Sequence, residues 1–446
     1  MNLTDPKERC FWLARYGPYR ATAPLREEID ADFAVVGGGF TGLSTAYHLK
    51  KAEPSAKVVV LEARYVGFGA SGRNAGFVMT LFGFEPSTTK LLFGVERTVE
   101  AHRYMERAVD EVDRLVREHA MDSDYWFPGF LRVATTPAYA DRIQKAIRLL
   151  TDHGIRGIEW LDGMAVREQV DSPLFLGAWW EPRAGLLDPA KHVRELKRVA
   201  VSTGVEVYEN SPVVHLLREP ERFVLRTPSG AVRARKLALA TNAYARFFPE
   251  LWLRQVPVFT HIVLTEPLDS ERREVLGWQN RQGIEDARNL VHYFRLTPDD
   301  RLLMGGADVT VPFGRRMDLD DNPAVYARLE ADVVRFFPAL RGIRFTHRWG
   351  GPVSVTTQMV PALGYLGDRR AVYSLGCMGH GVSLSHLNGR TLADLLCERQ
   401  SDLTEVWFVD RKVIPWPPEP IRFALGQLVR GLMKAQDRWY ERDLEP

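Results

Sequence analysis

Apolar residues along the chain follow two periods, and the order in which these alternate predicts a mixed α/β protein. Residues 32–36 (DFAVV) and 57–61 (KVVVL) are continuous apolar runs of strand length, as expected for strands covered on both faces. Between them Leu43, Ala46 and Leu49 recur at helical spacing. From Phe84 to Glu118 the helical period is longer-lived, carried by Val95, Val99, Met105, Val109, Val112, Leu115 and Val116. Residues 130–135 (FLRVAT) are strand-like. Runs 261–266 (HIVLTE), 290–296 (LVHYFRL) and 301–306 (RLLMGG) then switch to the alternation of antiparallel strands. Pro298-Asp299-Asp300 supplies the turn between the last two. A proline-rich strap, 413–420 (VIPWPPEP), precedes a basic amphipathic helix over 422–442. Its apolar side carries Phe423, Leu425, Leu428, Leu432 and Met433, a stripe that predicts packing on its own domain rather than against a membrane or a partner.

The first strand runs into Gly37-Gly38-Gly39-Phe40-Thr41-Gly42, a GxGxxG element that opens the helix. Gly37 permits a tight turn, Gly39 lets backbone approach a pyrophosphate, and Gly42 lets helix and strand pack closely. The helix N-terminus adds free N–H groups and a positive dipole end for phosphate. The second strand ends in Glu62, 20 residues beyond Gly42, where an acceptor for ribose hydroxyls is expected. Strand, glycines, helix, strand and acid together define a Rossmann-type dinucleotide site.

Composition narrows the alternatives. A chain of 446 residues fits two domains. A formal charge of +2 gives no basic surface for nucleic acid. Cys10, Cys377 and Cys397 form neither a disulfide framework nor a metal motif, so no metal is expected and a reducing cytoplasm suits them. The segment Met1–Arg15 lacks the apolar run of a signal peptide, and no run of about 18 apolar residues predicts a membrane span.

A second glycine-rich stretch, 64–77 (RYVGFGASGRNAGF), falls where a nicotinamide-binding domain would enter its next helix. Gly67, Gly69, Gly72 and Gly76 imply backbone packed against something large. Here the chain resembles the D-amino-acid-oxidase-like superfamily of FAD-dependent oxidoreductases, nearest to its γ-glutamylputrescine oxidoreductase-like branch. The carrying segments are 69–76 (GASGRNAG), 293–306 (YFRLTPDDRLLMGG), 348–364 (RWGGPVSVTTQMVPALG) and 376–385 (GCMGHGVSLS).

The resemblance implies a discontinuous Rossmann-type FAD-binding domain (1–80, 150–245 and 346–446). It also implies a substrate domain on a mostly antiparallel sheet (81–149 and 246–345). Residues 205–214 (VEVYENSPVV) look like the strand pair reaching the adenine side, and 237–244 (LALATNAY) like the strand returning to the FAD fold. FAD contacts are implied at Gly37, Gly39, Phe40, Thr41, Gly42, Glu62, Ala63 and Arg64. The glycine-rich stretch adds Gly69, Ala70, Ser71, Arg73, Asn74, Ala75 and Gly76. Farther along the chain come Val213, Thr241, Asn242, Gly376, Met378, Gly379, His380, Gly381 and Val382. The helix opening at Gly379–Val382 would aim its dipole at the flavin pyrimidine.

Relatives of this branch oxidise a carbon–nitrogen bond: hydride passes to flavin N5 and the imine is hydrolysed to a carbonyl. Family members acting on α-amino acids often hold the carboxylate with an arginine just after a W-x-G motif. Here Trp349-Gly350-Gly351 is followed by Pro352 and Val353. That departure favours a small amine over an α-amino acid. Tyr293 and Arg295, two apart on a strand and so on one face, are candidates to meet substrate, with His380 beside them. The alternative for Arg295 is pairing with Asp299 or Asp300. His261 and His347 read as structural. Cys377 lies within the second flavin motif, but non-covalent FAD is expected. The electron acceptor would be O2 or a quinone or other carrier. A flavin monooxygenase, an NAD-dependent dehydrogenase and a non-catalytic flavoprotein are the rivals.

Overall fold

The computed structural model describes residues 5–83, 85–314 and 316–442. Phe84, the first residue of the expected helical stretch, and residues 1–4 of the N-terminal segment lie outside them. The apolar run Glu28–Val36 forms the centre of a mixed sheet. It pairs in parallel with Val58–Leu61 on one side and Ala231–Leu239 on the other. The order continues outward to Glu206–Tyr208 at one edge and through Asp368–Leu375 to Ala362–Leu366 at the other. Every residue of Val58–Leu61 is buried: Val58 and Val60 face the helices, while Val59 and Leu61 face the strands Phe223–Arg226 and His215–Arg218 and the segment carrying Ala245, Phe248 and Leu251. The helix Phe40–Ala52 lies against Gly381–Leu396, joined by Ser44 Oγ donating to the His386 carbonyl at 2.7 Å.

The second sheet has eight strands, in the order Phe345–Val355, Val256–Pro267, Arg301–Gly306, His292–Leu296, Gly283–Asp286, Phe130–Ala134, Gly177–Glu181, Glu159–Asp162. All pairs are antiparallel except Gly283–Asp286 with Phe130–Ala134. A two-stranded ribbon, Phe77–Val78 with Gly185–Leu186, is formed beside it.

Several boundaries differ from the sequence reading. Glu159–Asp162 and Gly177–Glu181, expected in the FAD-binding part, extend the second sheet, and Phe345–Val355 forms its edge. The helix Val95–Glu118, expected on the substrate side, packs into the core around the dinucleotide fold. Its Tyr104 hydroxyl donates to Asn388 Oδ1 at 3.0 Å. Residues 205–214 are not a strand pair: Glu206–Tyr208 ends before Asn210, whose φ is +51°, and Phe223–Arg226 pairs with His215–Arg218 instead. Alternation announces a strand but not the sheet it will join, which explains all the strand misplacements.

The C-terminal helix Ile421–Glu441 docks on the second sheet, through a face other than the expected one. Arg430 and Lys434 both reach Asp308 at 2.7 Å, and buried Asp437 accepts from the N–H groups of Asn289 and Leu290. Met433 and half-buried Phe423 do pack inward, but Leu428 and Leu432 are 58% and 62% exposed. Satisfying these buried charges fixes the rotation of the helix more strongly than the leucine stripe does.

His292 is buried between Asp286 (2.6 Å) and Asp332 (3.0 Å), tying the sheet to the helix Pro323–Phe336. Burial alone would lower its pKa, but the two carboxylates overcome that and raise it from 6.5 to about 9. A raised folded-state pKa contributes stability that is complete below 6.5 and lost as pH climbs through 9. Urea unfolding of wild type and His292→Asn is therefore expected to show a stability gap that narrows by on the order of 3 kcal/mol between pH 6 and 9.5. A gap that widens over that range would contradict the charged triad.

Candidate active site

Segments far apart in sequence converge at the C-terminal ends of the parallel strands, where open α/β sheets bind ligands. The Ser71 hydroxyl accepts from the Phe40 N–H at 3.0 Å, joining the second glycine segment to the first. Asn242 Nδ2 donates to Cys377 Sγ at 3.3 Å, joining the third segment to the last. Ser383 Oγ links to both the N–H and the carbonyl of Met79, each at 2.9 Å.

The dinucleotide side fits FAD. Helix Phe40–Ala52 has Gly39 as its N-cap, which offers no side chain, and of its first N–H groups that of Phe40 is taken by Ser71. Helix Gly381–Leu396, with His380 at the N-cap, has no side-chain cap from that residue. A Cβ on Gly42 would stand 1.8 Å from the Gly37 carbonyl oxygen, so only glycine lets the helix start there. Glu62 turns back to the glycines, accepting from the N–H of Gly38 (2.7 Å) and of Arg64 (2.9 Å). Burial raises its carboxyl pKa. The buried Thr241 hydroxyl has no hydrogen-bond partner among the described residues and adjoins Gly37, as a cofactor contact would leave it.

The other expected cofactor residues lie around this core. Thr41 is in the first helical turn, where its carbonyl accepts from Thr45. Ala63 and Arg64 follow Glu62, and the Arg64 guanidinium lies 5.5 Å from the Phe68 ring. Gly69 and Ala70 open a short 3-10 turn. Arg73 donates to Tyr244 Oη (3.0 Å) and the Gly350 carbonyl (3.2 Å). Asn74 caps the same turn and accepts from the Gly76 N–H at 2.7 Å. Val213 packs at the far side of the sheet. Gly376 N–H donates to Ser354 Oγ at 3.0 Å, and Met378, with φ +53°, follows it. Gly379 continues the same turn.

A cavity of about 310 Å³ opens over these segments. One face of the strand Val256–Pro267 lines it through Val256, Val258, Thr260 and Ile262, whose alternation is that of a pleated strand. Val353 and Val355 line the neighbouring wall, and Gly426, Val429, Arg430 and Met433 of the C-terminal helix form the roof. Ala70, the stretch from Arg73 to Phe77, and Met378, Gly379, His380 and Val382 border the side facing the dinucleotide site.

Of the three residues expected to meet substrate, Tyr293 and His380 line this cavity. Burial pushes the Tyr293 phenol up to about 12, so it stays a hydroxyl. Arg295 does not reach the cavity. Its guanidinium points the other way, donating to the carbonyls of Leu187 (2.8 Å) and Ala75 (3.0 Å), 5.4 Å from the Trp12 ring. Nor does it pair with the hairpin carboxylates: Asp299 binds Arg301, and Asp300 binds Arg273 and Arg281. The strand alternation that put Arg295 and Tyr293 on one face was sound, but the long guanidinium reaches around to backbone. His261 is fully buried and bonded to the Leu319 carbonyl at 3.2 Å, a structural position.

Two contributors were missed from the sequence. Glu285 lies directly opposite Tyr293 in the sheet register and lines the cavity; its signal was a pair of adjacent acids, Glu285 and Asp286, inside a buried strand, 283–286 (GIED). The roof from the C-terminal helix had no sequence signal, since its docking face depends on Asp308.

A two-sheet architecture with a Rossmann dinucleotide cradle beneath an apolar cavity defines a flavin-dependent oxidoreductase. The family model "FAD dependent oxidoreductase" (DAO) matches residues 32–395. This chain belongs to that family, and its cofactor is FAD. It is 33% identical to gamma-glutamylputrescine oxidoreductase of Escherichia coli over 389 residues, covering 86% of this chain and 88% of that one. It is 26% identical to sarcosine oxidase subunit beta of an Arthrobacter species, covering 74% and 78%. Among solved structures, glycine oxidase from Geobacillus kaustophilus superposes with a TM-score of 0.72 at 22% identity, covering 86% of this chain and 99% of that one. L-Proline dehydrogenase from P. horikoshii does so with a TM-score of 0.72 at 21% identity, covering 90% and 99%. Among the described residues no helix is long and apolar enough to cross a membrane.

Proposed function

We propose that this protein oxidises a carbon–nitrogen bond in a small amine that lacks an α-carboxylate at the reacting end. The observation that carries this is that, among the described residues, every arginine lining the cavity is already committed to a carboxylate. Arg132 and Arg142 hold Glu85, Arg73 reaches Asp320, Arg288 reaches Glu441, and Arg430 holds Asp308. Val353 occupies cavity wall where relatives acting on α-amino acids would place a carboxylate-binding arginine. Similarity to gamma-glutamylputrescine oxidoreductase and to sarcosine oxidase subunit beta supports oxidation of a carbon–nitrogen bond in general.

When bound, FAD supplies the two-electron acceptor for the hydrogen on the carbon next to nitrogen. The chain supplies position and environment. The substrate docks as an ammonium, and the apolar walls favour its giving up a proton, to a cavity carboxylate, before oxidation. The Tyr293 hydroxyl offers a hydrogen bond at the floor, and the roof helix shields the site from water. FAD is held non-covalently in this reading, with Cys377 Sγ accepting a hydrogen bond from Asn242. Free cysteines suit the cytoplasmic setting we propose.

Anaerobic bleaching of the flavin band tests the reading. Mono- and diamines and both enantiomers of α-amino acids are supplied in turn. Bleaching by an amine without an α-carboxylate is the expected result, and bleaching by α-amino acids alone would overturn it.

A further inference from the structure

We propose that Glu285 is the docking group for the substrate's ammonium, making the floor of the cavity a cation-selective subsite. This deepens, and rests on, the amine reading above. Three carboxylates line the cavity: Glu85, Asp308 and Glu285. Two are neutralised within the protein, Glu85 by Arg132 at 2.6 Å and Asp308 by Arg430 and Lys434 at 2.7 Å. Glu285 has no such cation. Its side chain is only 3% exposed, and its Oε1 has no hydrogen-bond partner among the described residues. The basic group nearest to it is His380 Nε2, 3.5 Å from Oε2. His380 Nδ1 is likewise buried without a partner.

A buried carboxylate with an unused oxygen is costly unless a ligand completes it. The strand register fixes where that ligand would lie. Glu285 stands directly across from Tyr293, and His380 caps the helix that opens at the dinucleotide site. A substrate ammonium held by Glu285 is therefore held next to the reacting centre. A carboxylate in the same place would face an uncompensated negative charge, so one residue both attracts amines and repels acids.

The test uses the FAD-bound enzyme and an inert probe, tert-butylammonium, which has no hydrogen on the carbon beside nitrogen and cannot be oxidised there. Pivalate, its anionic counterpart in shape, is the control. Each is titrated against the flavin spectrum of wild type, Glu285→Gln and Glu285→Asp, with flavin content checked for each. Wild type is expected to bind tert-butylammonium more tightly than pivalate. Glu285→Gln is expected to weaken tert-butylammonium by at least about 30-fold, the loss of one buried charged contact. Glu285→Asp, which keeps the charge, is expected to retain most of the binding. Three results would overturn the proposal: tighter binding of pivalate by wild type, no binding of tert-butylammonium by wild type, or equal affinity in wild type and Glu285→Gln. The wild-type comparison stands even if a variant fails to fold. Failure of every amine to bleach the flavin would sink the proposed reaction while leaving this titration readable.

Discussion

Arg295→Leu is expected to yield protein that is aggregated or free of flavin. The guanidinium is fully enclosed and holds the Ala75 and Leu187 carbonyls together, pinning the second glycine segment against the start of the helix Pro189–Ser202. Gly76, next in sequence, has φ +77°, and a Cβ there would meet the Leu187 oxygen at 2.0 Å. Each orphaned carbonyl costs about 1–3 kcal/mol, and the vacated volume adds a cavity penalty. Together these consume much of a typical stability of about 5–15 kcal/mol. Burial pushes the Arg295 pKa down to about 9, which leaves it charged at neutral pH. Arg295→Lys should rescue only partly, because an ammonium cannot reproduce the planar fork. The ratio of flavin to protein absorbance and a thermal melt read the outcome. A normal melt and full flavin content with a raised KM would instead mean that Arg295 serves the substrate.

Gly42→Ala is the second large effect, and it acts on the cofactor directly. The new methyl would stand 1.8 Å from the Gly37 oxygen, inside the turn that presents N–H groups to pyrophosphate. The neighbouring atom is backbone, so nothing can swing aside. Either the turn opens or the helix start retreats, and both spoil the phosphate cradle. FAD affinity is expected to fall by at least about 100-fold, equivalent to about 2.7 kcal/mol. Flavin retention through gel filtration, followed by titration of the stripped protein with FAD, measures it. Undiminished retention would show that the pyrophosphate is not cradled by this turn.

How much of this was legible beforehand depended on whether a residue's role is local. The glycines at 37, 39 and 42 and the acid at 62 act through spacing along one strand–helix–strand unit, so sequence order contained their geometry. The alternation at 261–266, 290–296 and 301–306 likewise predicted strands of the second sheet, but the wall residues Val256, Val258 and Thr260 lie before the first of these runs. Glu285 was overlooked because its character comes from what does not surround it. Acidic residues occur equally at Glu85 and Asp308, and only the fold gives those two cationic neighbours. Arg295 was misjudged for a related reason. Its Cα position was right, but a long side chain can reach backbone on either side of its strand, and the choice was made by distant carbonyls.

The sequence by itself determined a Rossmann unit built for a dinucleotide and the antiparallel strands beside it, because these follow from periodicity and glycine spacing within short stretches, while the choice of flavin over nicotinamide came with the family resemblance those glycine segments carry. Only the tertiary structure decided which sheet the strands Glu159–Asp162, Gly177–Glu181 and Phe345–Val355 join, and which face of the C-terminal helix roofs the cavity. It alone decided which cavity carboxylate is left without a cation. The physical reason is common to all three. Strand pairing, helix rotation and charge neutralisation are settled by partners a hundred or so residues away, as when Arg430 reaches Asp308 across 122 positions of chain.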